Sequence, residues 1–198
     1  MSRGEHQRVR QAVLIAGLAM CSWMGMMAVH ELGHVIGAKA TGGKVLRVVW
    51  HPLVFSQTVV DPNPMPLVEV WAGPICGIVV PLFAAGLAHG MRLRLGYLFT
   101  LFAGFCLLSN GAYLGLGVFD AVGDAGDLLR LGTPAWVLMA FGVATMPSGL
   151  WLWHIASPRL GFGGAKRAKP IAARDAYGVL AAGAMLVLLG FLVGDRGG

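Results

Sequence analysis

Residues 12–40 read AVLIAGLAMCSWMGMMAVHELGHVIGAKA, and this stretch decides both the fold class and the chemistry of the chain. Its first 18 residues carry no charge, and an uncharged apolar run of that length is typical of a helix that spans a membrane. The motif His30-Glu31-Leu32-Gly33-His34 follows inside the same segment. Ionisable side chains at membrane depth are costly, so their presence there indicates a function.

The spacing within the motif fits a metal site. On a helix, residues four apart lie on one face with about 5–6 Å between their Cβ atoms. His30 and His34 can therefore present two imidazole nitrogens to one zinc ion. Glu31 stands beside the first histidine and can accept a proton as a general base. The same pattern arises by chance in soluble helices, but the apolar surroundings favour the zinc interpretation.

The composition places the whole chain in a membrane. Of the 198 residues, 57% are hydrophobic and only 12% are charged, whereas soluble domains contain about 25% charged residues. The net charge of +6 comes from basic residues in short connections between apolar spans. That distribution is typical of contact with lipid head groups and argues against a nucleic-acid partner. Cys21, Cys76 and Cys106 all fall within spans, so we expect buried thiols and no disulfide framework.

The hydrophobic pattern predicts an all-α membrane protein with about five transmembrane helices and a short β-hairpin or re-entrant strand segment between the first two. One domain covers residues 1–198, with a catalytic core at about 12–132 and C-terminal helices at about 134–156 and 176–194. β-branched and aromatic residues predict the two strands, at 45–50 and 53–60. Such backbone is stable at membrane depth only against protein or a water-filled cavity.

A catalytic zinc site uses three protein ligands, so the two histidines need one more. The first and third predicted spans run in the same direction. An acidic stretch follows the third span and therefore lies on the same side of the membrane as the motif. Asp120, Asp124 and Asp127 all compete for the third position. Asp61 and His51 lie on that side as well and are weaker candidates.

Three segments together resemble the site-2 protease family of intramembrane zinc metalloproteases. His30-Glu31-Leu32-Gly33-His34 matches the H-E-x-G-H motif of that family's first core span. Ala72-Gly73-Pro74 resembles the A-G-P segment that opens its second core span, and residues 124–129, DAGDLL, resemble its D-G-G-x-x-L segment. The resemblance covers roughly residues 12–132. Gly77 departs from it, because the family often has asparagine there.

The resemblance implies a ligand set and a mechanism. One zinc ion per chain would be held by His30, His34 and Asp124, with Asp127 as the alternative to Asp124. The zinc would polarise the scissile carbonyl and carry a water molecule that Glu31 deprotonates. The expected substrate is a membrane-spanning helix that unwinds within the lipid bilayer to expose its backbone.

Three further residues are predicted to contact the substrate. Val48 and Val59 lie in the two predicted strands, to which an unwound segment could add as a further strand. Asn110, in the third span, resembles the family's asparagine before the metal-binding aspartate, although the spacing here is longer. Because no recognition domain interrupts the sequence, substrate selection would come from the membrane part or from a regulatory membrane partner.

The rival interpretation is a non-catalytic membrane protein, either a metal-binding transporter or a haem protein, that uses the His/Asp cluster as an ion site. Haem between spans favours histidines on two helices, whereas His30 and His34 share one. A transporter has no need of the H-E-x-x-H order.

The sequence leads to two opposite predictions of how the chain is oriented in the membrane. Ten basic residues lie on the N-terminal side of the spans and five on the other side. The excess places the N-terminus in the cytoplasm and the zinc toward the outer face of a plasma or inner membrane. The family resemblance implies the reverse orientation.

Overall fold

The computed structural model describes residues 2–162 and 170–194 and consists mainly of helices. In chain order, the elements within these residues are α1 (Arg3–Ala40), β1 (Val45–Val49), β2 (Gln57–Val60), α2 (Pro66–Gly90), α3 (Gly96–Gly117), α4 (Gly123–Arg130), α5 (Ala135–Ala156) and α6 (Ala173–Gly194). A short 3-10 helix, Ser157–Leu160, continues α5. Five of the described helices are long and apolar enough to cross a membrane. The predicted all-α membrane fold, with a hairpin between its first two helices, is therefore confirmed.

The longest element, α1, carries the histidine motif. Its 38 residues correspond to about 57 Å of helix, which exceeds the roughly 30 Å hydrocarbon core of a bilayer. The helix begins at Arg3, before the apolar stretch 12–40, because a capping box between Ser2 and Glu5 stabilises an additional polar N-terminal segment. It ends at Ala40 as predicted, and Gly42 turns the chain with a φ of 81° that favours glycine.

Small residues let the neighbouring helices approach α1 closely. A Cβ at Gly33 would lie 2.8 Å from the Ala72 carbonyl carbon of α2, and a Cβ at Gly37 would lie 2.7 Å from the Ala72 side chain. On another side of α1, Gly17 meets the backbone of Leu180 in α6. Membrane helices usually pack through such small residues, since lipid tails give them no hydrophobic reason to associate.

The two strands form an antiparallel hairpin in which Val49 pairs with Gln57 and Val45 pairs with Val60. The second strand is shorter than predicted, because residues 53–56 belong to the connection after Pro52 and not to a strand. The ladder ends at the Val49–Gln57 pair, and Pro52, which lacks a backbone N–H, lies within the connection that follows.

Two tryptophans tie the hairpin turn to the middle of α1. Trp23 donates its Nε1–H to the Pro52 carbonyl at 2.9 Å, and Trp50 donates its Nε1–H to the Met24 carbonyl at 3.0 Å. Because Met24 lies four turns before the C-terminal end of α1, the hairpin folds back along the helix. The hairpin turn therefore lies beside the middle of α1 and not beyond its C-terminal end.

The acidic stretch after α3 differs from its prediction. The sequence predicts a turn with a helix that begins after Asp127, whereas α4 begins at Gly123 behind the N-cap residue Val122. The left-handed backbone of Gly123, with a φ of 57°, turns the chain into the helix before Asp127 is reached. The predicted helix start after Asp127 is therefore wrong. Asp127 lies inside α4, and its carboxylate pairs with Arg130 on the surface.

Charged side chains mark the two ends of the bundle. At the end that holds the start of α1, Arg94 donates two hydrogen bonds of 2.6 Å to the Asp175 carboxylate. Lys39 and Arg130 lie at the opposite end, with the histidine motif. Residues 163–169 of the predicted basic loop, and Arg196, lie outside the described residues.

Candidate metal centre

The side chains of His30, His34 and Asp124 meet at one point. The histidines come from successive turns of α1, and Asp124 comes from the first turn of α4. The Nε2 atom of His30 lies 2.8 Å from Asp124 Oδ2 and 3.1 Å from His34 Nε2. The His34 Nε2 atom lies 3.3 Å from the same aspartate oxygen. Both histidines are buried and the Asp124 side chain is 15% exposed, so three electron-pair donors converge in a largely enclosed space.

The surroundings of His30 fix which ring nitrogen carries its proton. Asn110 donates its Nδ2–H to the Cys106 carbonyl at 2.9 Å, which turns the amide oxygen toward the histidine. That Oδ1 atom lies 2.7 Å from His30 Nδ1 and can only accept, so Nδ1 is the donor. The neutral imidazole then keeps its lone pair on Nε2, the atom that faces Asp124.

His34 is held in the same way by a different partner. Its Nδ1 atom lies 2.9 Å from the Glu69 carboxylate oxygen Oε1 and 3.1 Å from the Glu69 main-chain carbonyl. Both oxygens accept hydrogen bonds, so Nδ1 again carries the proton and Nε2 the lone pair. Metal-binding histidines commonly donate their second N–H to a fixed acceptor of this kind.

If both imidazoles were neutral and Asp124 were ionised, three lone pairs would face one another with no proton between them, and they would repel one another. The arrangement is stable only if a positive charge sits between the atoms, either an additional proton on an imidazole or a metal ion. Two nitrogens and one carboxylate oxygen suit zinc, and tetrahedral ligands at about 2.0–2.2 Å from zinc lie roughly 3.3–3.5 Å apart. The observed separations of 2.8, 3.1 and 3.3 Å are those of a hydrogen-bonded cluster, and the three ligands would move apart by up to about half an ångström to hold a zinc ion.

The loop before α4 determines where Asp124 lies. A Cβ at Gly123 would overlap the Tyr113 hydroxyl, so glycine is needed at this positive-φ position. The Tyr113 hydroxyl accepts the Asp124 backbone N–H at 3.1 Å and anchors the first turn of α4 to α3. Burial raises the pKa of the Asp124 carboxyl, but in the metal-free site the additional proton on the neighbouring imidazoles outweighs that effect and holds the pKa below its ordinary value. The group is therefore a carboxylate.

The A-G-P segment of α2 crosses α1 at the motif, and Gly77, three residues after Pro74, explains one departure from the family pattern. A Cβ at Gly77 would lie 2.7 Å from both the nitrogen and the oxygen of the Asn110 amide. An asparagine at position 77 would therefore occupy the space that Asn110 uses. The glycine leaves room for an amide that reaches His30 from α3 instead of α2.

Glu31 lies beside the three donors, and its carboxylate turns toward β2. Thr58 donates its hydroxyl hydrogen to Glu31 Oε2 at 2.6 Å. One ligand-type atom of Glu31 lies within 4.8 Å of the nearest such atoms of His30 and His34. By proximity alone Glu31 would count as a third ligand, but Asp124 lies closer to both histidines. Glu31 is thus placed next to the donor set and not within it.

Two depressions flank this position. A groove of about 340 Å³ runs along all four residues of β2 and is bounded by α2 and α4; its charged and amide side chains are those of Gln57, Asn63, Glu69, Asp127 and Arg130. An almost wholly apolar pocket of about 250 Å³ lies between α1 and β1, where Val48 and Trp50 face Leu32 and Val35. Glu31 lines the apolar pocket, and its hydrogen-bond partner Thr58 lines the groove.

The structure distributes the remaining predicted site residues around this centre. Val59 lines the polar groove and Val48 lines the apolar pocket, so the two strand residues lie on different sides of the hairpin. Both polar ends of the Asn110 amide are engaged within the protein, which favours positioning of His30 over contact with a substrate. Asp127 faces Arg130, and Asp120 is exposed.

Three residues at the site were not singled out for a role from the sequence, namely Glu69, Thr58 and Tyr113. The carboxylate of Glu69 in the first turn of an apolar span is the one clear signal, because a buried ionisable group in a membrane helix needs a partner. Thr58 and Tyr113 have no such signal, since hydroxyl groups are ordinary in strands and in spans.

Comparisons of this chain with protein-family models, with curated proteins and with solved structures gave no match. The likeness to site-2 proteases therefore stays at the level of the motif residues quoted above.

Proposed function

We propose that this membrane protein is an intramembrane zinc metalloprotease that hydrolyses peptide bonds of membrane-spanning substrates. The observation that carries the proposal is the convergence of His30 Nε2, His34 Nε2 and Asp124 Oδ2, with the Glu31 carboxylate beside them. Two oriented imidazoles and an ionised aspartate make a three-ligand set, which is the number that catalytic zinc sites use.

Zinc held by these three residues would lower the pKa of water to about 7 and polarise a substrate carbonyl. Asp124 Oδ2 lies 2.8 Å from His30 Nε2 and 3.3 Å from His34 Nε2 and completes the three ligands. Glu31, whose carboxylate also lies near both histidines, is then left to supply the proton acceptor. After accepting a proton, Glu31 can return it to the leaving amine. Thr58 keeps the carboxylate in place through its hydroxyl.

The groove along β2 suits an unwound substrate. Within the described residues β2 pairs with β1 only, so its second edge keeps unpaired backbone groups. An extended peptide can add to such an edge through main-chain hydrogen bonds. The groove lies beside that strand and contains Glu69, whose carboxylate contacts His34. A membrane-spanning helix that unwinds beside the hairpin would thus bring its backbone toward the centre.

We place the enzyme in a plasma or inner membrane, where a membrane-protein substrate and a regulatory membrane partner would reach it through the bilayer. The competing function is transport or haem binding through the same cluster. Zinc content and peptide-bond cleavage distinguish it from proteolysis. The purified protein in lipid vesicles should contain one zinc ion per chain and cleave a co-reconstituted transmembrane peptide, and a chelator should abolish the cleavage. Zinc without cleavage of any membrane protein in a proteome-wide comparison would contradict the protease function.

A further inference from the structure

We propose that Glu69, supported by Asn63, is a positioning residue that sets the zinc affinity of the site through His34. The inference rests on the proposed metal site and extends it to a carboxylate of α2. Glu69 contacts His34 through Nδ1, the ring nitrogen that faces away from the other two ligands.

Glu69 is a buried acid with all of its contacts at this site. The residue is 6% exposed and lies in the first turn of α2. Its Oε1 atom accepts from His34 Nδ1 at 2.9 Å, and its Oε2 atom accepts from Asn63 Nδ2 at 3.2 Å. Desolvation of a buried charge costs several kcal/mol, and the contacts with His34 and Asn63 offset that cost, so the pairing is not in itself evidence of a gain in stability.

The two histidines differ in what lies behind them. Behind His30 is the neutral amide of Asn110, whereas behind His34 is a carboxylate together with a main-chain carbonyl. A carboxylate behind an imidazole fixes its orientation and raises its basicity toward the metal, and loss of such a partner typically lowers metal affinity about 10- to 100-fold. His34 is therefore the histidine whose electron-donor strength depends on the negative charge of Glu69.

Asn63 connects the Glu69–His34 pair to the hairpin formed by β1 and β2. It lies three residues after β2 and lines the same groove as Thr58. Among the residues the structure describes, its Oδ1 atom is the buried side-chain atom that has no hydrogen-bond partner. One segment, 57–63, therefore contacts Glu31 through Thr58 and the His34 system through Asn63.

Because the Asn63 Oδ1 atom is unpaired, Glu69→Gln can test the effect of the negative charge alone. A glutamine can still accept the His34 Nδ1–H through its amide oxygen. Its new NH₂ group would face Asn63, whose amide can turn over and accept with Oδ1. The substitution thus removes the charge and keeps the shape and the hydrogen bonds, whereas Glu69→Ala removes all three.

The experiment compares wild-type protein, Glu69→Gln, Glu69→Ala and Asp61→Asn in detergent. Asp61→Asn is the matched control. Asp61 was a weaker ligand candidate from the sequence, but in the structure it is an exposed acid outside the group of residues around His30 and His34, two residues before Asn63. Zinc affinity is measured by competition with a chromophoric chelator, the cobalt-substituted proteins are compared by absorption spectroscopy, and thermal unfolding is recorded without metal. We expect zinc affinity to fall about 10-fold in Glu69→Gln and up to about 100-fold in Glu69→Ala, with shifted cobalt bands and an unchanged control.

Wild-type zinc affinity and cobalt spectra in both Glu69 variants would overturn the inference. A fall in affinity without a spectral change, matched by an equal loss of metal-free thermal stability, would also overturn it, because Glu69 would then be merely structural. A wild-type protein that binds zinc but cleaves no substrate contradicts the protease function and leaves the affinity comparison decisive for Glu69. A wild-type protein that binds no zinc overturns both.

Discussion

Gly73 of α2 lies directly against His34 of α1, so closely that a Cβ at residue 73 would overlap the imidazole Nε2 atom. The glycine of the A-G-P segment is therefore a steric requirement of the metal centre. Pro74 follows inside the helix and leaves the carbonyl of residue 70 without its usual helical donor.

Gly73→Ala should displace the His34 ring and lower zinc affinity by at least tenfold, since the new methyl group occupies the place of the ligand nitrogen. Gly86→Ala, in the same helix, is the control, because no atom outside its own helical neighbourhood lies within 4 Å of a Cβ there. Chelator competition with both purified variants measures the difference. Equal zinc affinities would show that the ring accommodates the methyl group and that the steric argument is wrong.

Glu31→Gln should abolish proteolysis and leave zinc bound. The amide cannot accept the proton, and general acid–base catalysis contributes about 10²- to 10⁴-fold to rate. Both imidazoles and Asp124 remain, so metal content measured by mass spectrometry should equal that of the wild type. Near wild-type cleavage of a membrane substrate by the purified variant would eliminate the protease proposal.

Asp124→Ala should lose both zinc and activity, with a fall in affinity of more than about 100-fold, because it removes a ligand and not merely a supporting contact. Asp120→Ala should do little, since Asp120 is exposed. Asp127→Ala should cost only the surface pair with Arg130, about 0.3–0.5 kcal/mol. Atomic absorption of the three variants decides between the candidates. Full zinc in Asp124→Ala with depletion in Asp127→Ala would move the ligand by three residues.

Thr58→Val should slow catalysis about tenfold at unchanged zinc content. Valine keeps the shape but removes the hydroxyl that holds Glu31, and the loss of a hydrogen bond worth about 1.4 kcal/mol corresponds to that factor. Thr58→Ser retains the donor and should restore the rate. Measurement of kcat and bound zinc in the pair tests this; identical kcat values in Thr58→Val and wild type would remove Thr58 from the mechanism.

Proline at Val48 or at Val59 should weaken cleavage more than zinc binding. The hairpin pairs Val48 with Thr58 and Arg47 with Val59, and proline in either strand removes a backbone N–H and distorts the ladder that a substrate would extend. Cleavage of a transmembrane peptide and bound zinc are to be measured in parallel. If both variants cleave normally, the hairpin is a connection without a role in substrate binding.

The sequence predicted the elements far better than the contacts. Span lengths follow from uncharged runs, so α5 begins and ends within one residue of its predicted bounds, 134–156, whereas α6 begins three residues before its predicted start at 176. The start of α4 was missed, because the conformation of Gly123 depends on the Tyr113 hydroxyl in another helix. Helical spacing places His30 and His34 on one face, but it carries no information on what lies behind their Nδ1 atoms.

The departures from the family pattern at Gly77 and Asn110 likewise depend on contacts between helices that the sequence does not reveal. From the sequence, Gly77 is a missing asparagine and Asn110 is an asparagine at an unexpected distance. In the structure the two positions touch, so the glycine and the amide form one complementary pair. Such compensation between α2 and α3 becomes visible only when the helices are placed side by side.

The two depressions that flank the hairpin differ in whether they can supply water to the proposed catalytic site. Every hydrolysed peptide bond consumes one water molecule, and an apolar pocket lined by Val48, Trp50, Leu32 and Val35 offers that water no hydrogen-bonding path. The groove lined by Gln57, Asn63 and Arg130 does offer one. In the proposed protease, solvent would then enter along β2, and apolar side chains of the cleaved chain would leave past β1.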